Sequence, residues 1–174
     1  MAHWMLDVLG LQPGDLVAIH MFNRPEVLCP DHMTSARVYI AGPLFNSHEK
    51  EYLEKIAQLL EDNGYVCFLP HRDQKGVSED ELDQLNMAAA TKAKIFNNDL
   101  AALEASDLTV ALLTGQDIDS GTAAEIGFSY ANEKPVIAIT ASERRFRNLF
   151  VEGMISKTID EIDTLVDTIK ILIK

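Results

Sequence analysis

Four short apolar runs punctuate this sequence: Val38 to Ala41, Tyr65 to Leu69, Leu108 to Leu113 and Pro135 to Thr140. The stretches between them carry helical spacing. Ser47 to Asn63 sets Tyr52, Leu53, Ile56, Leu59 and Leu60 on one stripe, and Gly64 closes it. Glu81 to Ala105 reads as one long helix, with any break near Ala90 to Lys94. Thr122 to Asn132 is a further helix. A short helix and a short strand are expected up to about Lys157. Apolar residues at Ile159, Ile162, Leu165, Val166, Ile169 and Ile173 then predict a final amphipathic helix. Short apolar strands alternating with helices pair in parallel through right-handed crossovers. The expected class is therefore α/β, a flavodoxin-like three-layer sandwich with a parallel sheet of four to five strands.

Residues 1–34 fall outside this rhythm. They hold a Pro13-Gly14 turn between weakly apolar pieces, and Met33 stands just before the first strand, where a start codon would fit. The expected organisation is an N-terminal extension of unknown role over 1–34 and a single domain over 35–174. A chain of 174 residues with 47% hydrophobic and 24% charged residues has material for one real core. The net charge of −12 excludes a nucleic-acid backbone or an anionic membrane as main partner, because both require a basic face. A small, roughly neutral ligand suits it better. The two cysteines, Cys29 and Cys67, form no zinc-ligand pattern. No apolar stretch approaches the length of a membrane span and no secretory signal is recognisable, so the cytoplasm is the expected location.

Chemistry-bearing residues gather where parallel strands end, which is where open α/β sheets bind ligands. Gly42, Pro43 and Phe45 follow the first strand, whose centre is Tyr39. His71, Arg72 and Asp73 follow the second. Asp119, Ser120, Gly121 and Thr122 follow the third, with Glu125 in the early turns of the next helix and Asp99 on the helix before. The P-loop and the Gly-rich dinucleotide fingerprint are both missing, as is the serine elbow of acyl hydrolases. What is left is a set of carboxylates with aromatics. Two carboxylates in one pocket divide labour: one attacks or stabilises an electron-poor carbon and the other protonates the leaving group. An N-glycosidic bond suits that division. Plainer roles exist for each residue. Glu125 reads equally as a carboxylate favoured by a helix dipole, Asp119 as an N-cap, Asp99 as an exposed helix residue, and Tyr39 and Phe45 as packing. Arg144, Arg145 and Arg147 read as a phosphate site or as a solvated loop.

The motifs 38–45 (VYIAGPLF), 66–73 (VCFLPHRD), 95–100 (IFNNDL), 119–127 (DSGTAAEIG) and 148–153 (NLFVEG) occur in an order that resembles the nucleoside 2-deoxyribosyltransferases, over about Val38 to Ser156. The resemblance implies ping-pong transfer of 2-deoxyribose between nucleobases. Glu125 would be the nucleophile, forming a covalent deoxyribosyl-enzyme, and Tyr39 would orient it. Asp99 and Asp119 would contact base and sugar, with a protonated Asp donating to the leaving base. Gly42, Pro43 and Phe45 would pack against the base. Asp73, Ser120 and Gly121 complete the expected substrate contacts. The resemblance also implies that Asn148 is lent to a neighbouring subunit's site, hence a homo-oligomer, dimeric or built from dimers. Deoxynucleosides and free nucleobases would be the partners, with no metal or organic cofactor.

Two rivals share the scaffold. A nucleoside 5′-monophosphate N-glycosidase would keep the glutamate but needs hydroxyls and cations near the first turn, where Gly42-Pro43-Leu44-Phe45 offers none. A non-catalytic nucleotide-binding module would have no use for the set Tyr39, Asp99, Asp119 and Glu125.

Overall fold

The computed structural model describes residues 36–78, 81, 87–114, 117–140 and 148–173. The 1–34 extension and the Arg144, Arg145 and Arg147 loop lie outside the described residues. Five strands form one sheet: β1 (Arg37–Ala41), β2 (Val66–Phe68), β3 (Leu108–Leu113), β4 (Val136–Thr140) and β5 (Lys157–Ile159). The order is β2-β1-β3-β4-β5 and every pairing is parallel. Tyr39 stands opposite Phe68 on one side and Thr109 on the other. This is the flavodoxin-like strand order.

The helices are α1 (Ser47–Asp62), α2 (Ala89–Ala105), α3 (Ser120–Ala131), α4 (Leu149–Glu152) and α5 (Leu165–Leu172), with a 3-10 turn over Ile162–Thr164. Strand alternation splits the core into two layers. Val38, Ile40, Val110, Leu112, Ile137 and Ile139 pack with Leu53, Ile56 and Leu60 of α1 and with Leu165 and Ile169 of α5. Tyr39, Ala41, Ala111, Leu113, Val136 and Ala138 meet Leu103 of α2, Ile126 of α3 and Val151 of α4 on the opposite face. Gly64, at φ +85°, turns the chain out of α1 as expected of a residue without a Cβ.

Two element boundaries differ from expectation. The helix expected over 81–105, with any break near Ala90 to Lys94, is interrupted a little earlier: Glu81 is helical, Met87 and Ala88 are not, and α2 starts at Ala89. Ala88 gives it no side-chain cap. The final helix expected from Ile159 starts at Leu165, because Lys157–Ile159 pairs with Ile137–Ile139 as the edge strand β5. The apolar spacing of Ile159 and Ile162 serves a strand and a 3-10 turn instead, and Ile159 still reaches the core.

Candidate active site

The doubly wound order reverses direction between β1 and β3, so the loops after these strands diverge and leave a crevice at the carboxyl edge. The β1 side of that crevice is stiff. Pro43 is buried, and Gly42 runs so close to α1 that a Cβ there would meet Leu53 Cδ2 at 2.7 Å and Leu112 Cβ at 3.2 Å. Asn46 caps α1 by accepting from the Glu49 N–H at 3.0 Å, and the Phe45 N–H donates back to Glu49 Oε2 at 2.9 Å. This reciprocal arrangement fixes the loop while leaving the Phe45 side chain 77% exposed.

Tyr39 is wholly buried, with its ring stacked on Phe68 at a centroid distance of 5.6 Å. Its hydroxyl donates to Glu125 Oε1 at 2.6 Å, the short length of a bond to a carboxylate. Burial holds the Tyr39 phenol far above its ordinary value, and the Glu125 and Asp99 charges add to this, so it remains a donor. Glu125 lies in the second turn of α3. Burial pushes its carboxyl up to about 7; the Tyr39 bond opposes this and the charges of Asp99 and Asp119 reinforce it. Asp99, on α2, is likewise pushed up by burial to about 6, against the effect of a 2.6 Å hydrogen bond donated by Gln74. Tyr39 is core, as its plain reading has it, and in addition bonds Glu125 through its hydroxyl, whereas Asp99 is part-buried rather than a fully solvated helix residue.

Asp119 caps α3. Its Oδ2 accepts from the Thr122 N–H at 3.0 Å and from Thr122 Oγ1 at 3.1 Å. Gly121 suits this turn, since a Cβ would come within 3.1 Å of that same oxygen. Ser120 and Gly121 are exposed in the first turn beside it. Asp73 is engaged elsewhere. Its carboxylate accepts from the Leu69 N–H at 2.8 Å and pairs with Arg72 at 2.9 Å, and Arg72 continues to Glu61 at 2.7 Å. The Asp73 carboxylate thus organises the loop after β2. Asn148 caps α4 by accepting from the Val151 N–H at 3.2 Å.

Two residues of this cluster escaped the sequence reading. Gln74 is 8% exposed and bridges Asn98 and Asp99. Asn98 was inside a recognised motif but carried no charge to draw attention. The adjacency of both to named candidates, Asp73 and Asp99, was the only signal. Among the described residues no group of three or more His, Cys, Asp and Glu side chains is placed to hold a metal ion. A cavity of about 280 Å³ between β2 and α2, lined in part by Arg37, Val66, Cys67, Phe68 and Asn98, includes none of the three crevice carboxylates. Burial pushes the Cys67 thiol there up to about 12, far from a reactive thiolate.

The sequence model of the nucleoside 2-deoxyribosyltransferase family matches residues 38–166. The chain belongs to that family. A nucleoside deoxyribosyltransferase of Limosilactobacillus fermentum is 27% identical over 118 residues, which is 66% of this chain and 70% of that one. Among solved structures, the 2-deoxyribosyltransferase of Bacillus psychrosaccharolyticus superposes with a TM-score of 0.64 at 26% identity, covering 75% of this chain and 90% of that one. A CMP N-glycosidase of Clostridium botulinum shares the fold, with a TM-score of 0.50 at 18% identity over 77% of this chain and 98% of that one. No helix among the described residues is long and apolar enough to cross a membrane.

Proposed function

We propose that this member of the family transfers 2-deoxyribose between nucleobases through a covalent deoxyribosyl-Glu125 intermediate. The observation that carries the reading is the 2.6 Å bond from the buried Tyr39 hydroxyl to Glu125 Oε1. It holds one oxygen of a carboxylate whose environment otherwise favours protonation. Glu125 attacks C1′ as the C1′–N bond breaks. The bond pair leaves with the base, and Asp99 gives a ring nitrogen its proton. A second base then attacks C1′, returning a proton to Asp99 and freeing Glu125. Burial raises the Asp99 carboxyl to about 6 and that of Glu125 to about 7, and the Asp99 charge adds to the rise at Glu125. Asp119, with Oδ2 tied to Thr122, presents its remaining oxygen to the sugar. Phe45 offers its exposed ring to the base, beside Gly42 and Pro43.

We further infer a homo-oligomer in which Asn148 reaches a neighbouring site. Leu149 and Phe150, next in the chain, are 78% and 80% exposed, an apolar surface suited to contact.

The test is incubation with deoxyinosine, with and without adenine. Deoxyadenosine is expected only when adenine is present, and Glu125→Ala is expected to lose on the order of 10³-fold or more. Release of hypoxanthine at a rate adenine does not affect would make the enzyme a hydrolase. Cleavage of 5′-monophosphates alone would make it a nucleotide N-glycosidase.

A further inference from the structure

Asp99 is reached by a chain of hydrogen bonds whose direction is fixed at its far end. The Lys75 carbonyl can only accept, and Asn98 Nδ2 donates to it at 3.1 Å. The same amide nitrogen donates to Gln74 Oε1 at 3.0 Å. With its carbonyl so engaged, Gln74 must present its Nε2 to Asp99, where it donates to Oδ1 at 2.6 Å. Gln74 is buried, so water does not substitute for either contact. A carboxyl oxygen that already accepts an N–H at this distance is the poorer place for a proton.

We propose that Asn98 is a positioning residue that acts through Gln74 to keep the Asp99 proton on Oδ2, the oxygen that delivers it to the departing base. The inference rests on the deoxyribosyl-transfer reading. In that step the C1′–N bond pair moves onto the base. A ring nitrogen takes the proton from Asp99 Oδ2, the O–H pair stays behind as carboxylate, and Glu125 completes the C1′–O bond. Asn98 touches none of the reacting atoms. It sets the polarity of the chain behind them.

Asn98→Asp keeps the size and reverses the polarity. A carboxylate at 98 cannot donate to Gln74 Oε1, so the Gln74 amide turns its nitrogen toward 98 and its oxygen toward Asp99. The Asp99 proton is then drawn to the inward oxygen. The experiment compares two deoxyribose donors with adenine as acceptor. Deoxyinosine needs its base protonated. 7-Methyl-2′-deoxyguanosine carries a cationic base that leaves without an acid. For Asn98→Asp, kcat/KM for the donor, which in a ping-pong reaction reports only the first half-reaction, is expected to fall about 100-fold with deoxyinosine, the scale of a lost general acid, and to change less than about threefold with the methylated donor. Turnover of the methylated donor also reports that the variant folds. Should it not fold, Gln74→Glu removes the same donor to Asp99 and is expected to show the same split. Equal losses on both donors, or no loss on either, overturn the positioning role while the transferase reading stands. Failure of the unaltered enzyme to transfer from either donor overturns the transferase reading and this inference with it.

Discussion

The Tyr39 hydroxyl and the Glu125 carboxylate each solve a problem the other creates. A buried phenol needs an acceptor, and a buried carboxylate needs a donor to remain ionised. A hydrogen bond to a charged group is worth about 1.5–3 kcal/mol. Tyr39→Phe should therefore lower kcat/KM by about 10- to 100-fold. Because the bond holds the Glu125 value down, its removal raises that value, and the acidic limb of the pH–rate profile should move to higher pH. A limb that stays in place would show that Glu125 does not set it. The same burial has a stability consequence. The folded-state value of Glu125, about 7, lies above the ordinary carboxyl value of 4.5, so the folded chain binds more protons across that window. Its contribution to stability is full below the ordinary value and is lost as pH rises through about 7. Glu125→Gln should accordingly be inactive yet more stable than the parent at pH 8, by about 1–3 kcal/mol in urea denaturation, with the gain vanishing near pH 4.

At the scale of elements, α2 carries Asp99 and Asn98 and has its carboxyl end closed from a distance in sequence. Lys134, 8% exposed, donates from its ammonium to the carbonyls of Leu103, Glu104 and Ser106. A cation at this end of a helix meets both the orphan carbonyls and the negative pole. Lys134→Met should cost about 2–4 kcal/mol, read as a lowered melting temperature, because it strands buried carbonyls. Most of the elements were legible before any coordinates. Val38–Ala41 and Leu108–Leu113 are continuous apolar runs because strands covered on both faces need no polar alternation. A break was allowed for near Ala90 to Lys94, but its place at Met87 and Ala88 was not legible, since Met87-Ala88-Ala89-Ala90 favours helix at every position. A short strand was expected only up to about Lys157; its extent to Ile159 was hidden because Ile159 continues the spacing of the helix after it, and only pairing with β4 separates the two. The carboxylates of the site stood out through charge and motif. Gln74 and Asn98 did not, because uncharged amides leave no periodic mark and their bond joins segments that meet only when the loop after β2 folds onto α2.

At the scale of the whole molecule, Tyr39 comes from β1, Asp99 from α2, and Asp119 and Glu125 from the cap and second turn of α3, within a chain of net charge −12. Such a field neither steers nor repels a neutral nucleoside, so kcat/KM for deoxyinosine should change less than about twofold on raising salt to about 0.5 M, whereas an anionic substrate would gain from screening. The exposed Leu149 and Phe150 belong to this scale too. Charging both, as Leu149→Glu with Phe150→Glu, should yield a smaller particle in sedimentation if the Asn148 segment lies at a subunit contact, and an unchanged one if it does not. Lys134 returns here in another guise. Its amine is sequestered by main-chain oxygens, so acylating reagents that modify surface lysines within minutes should leave it untouched until the chain opens. Peptide mapping of that one amine after timed acylation would therefore serve as a clock for global unfolding, readable without any substrate.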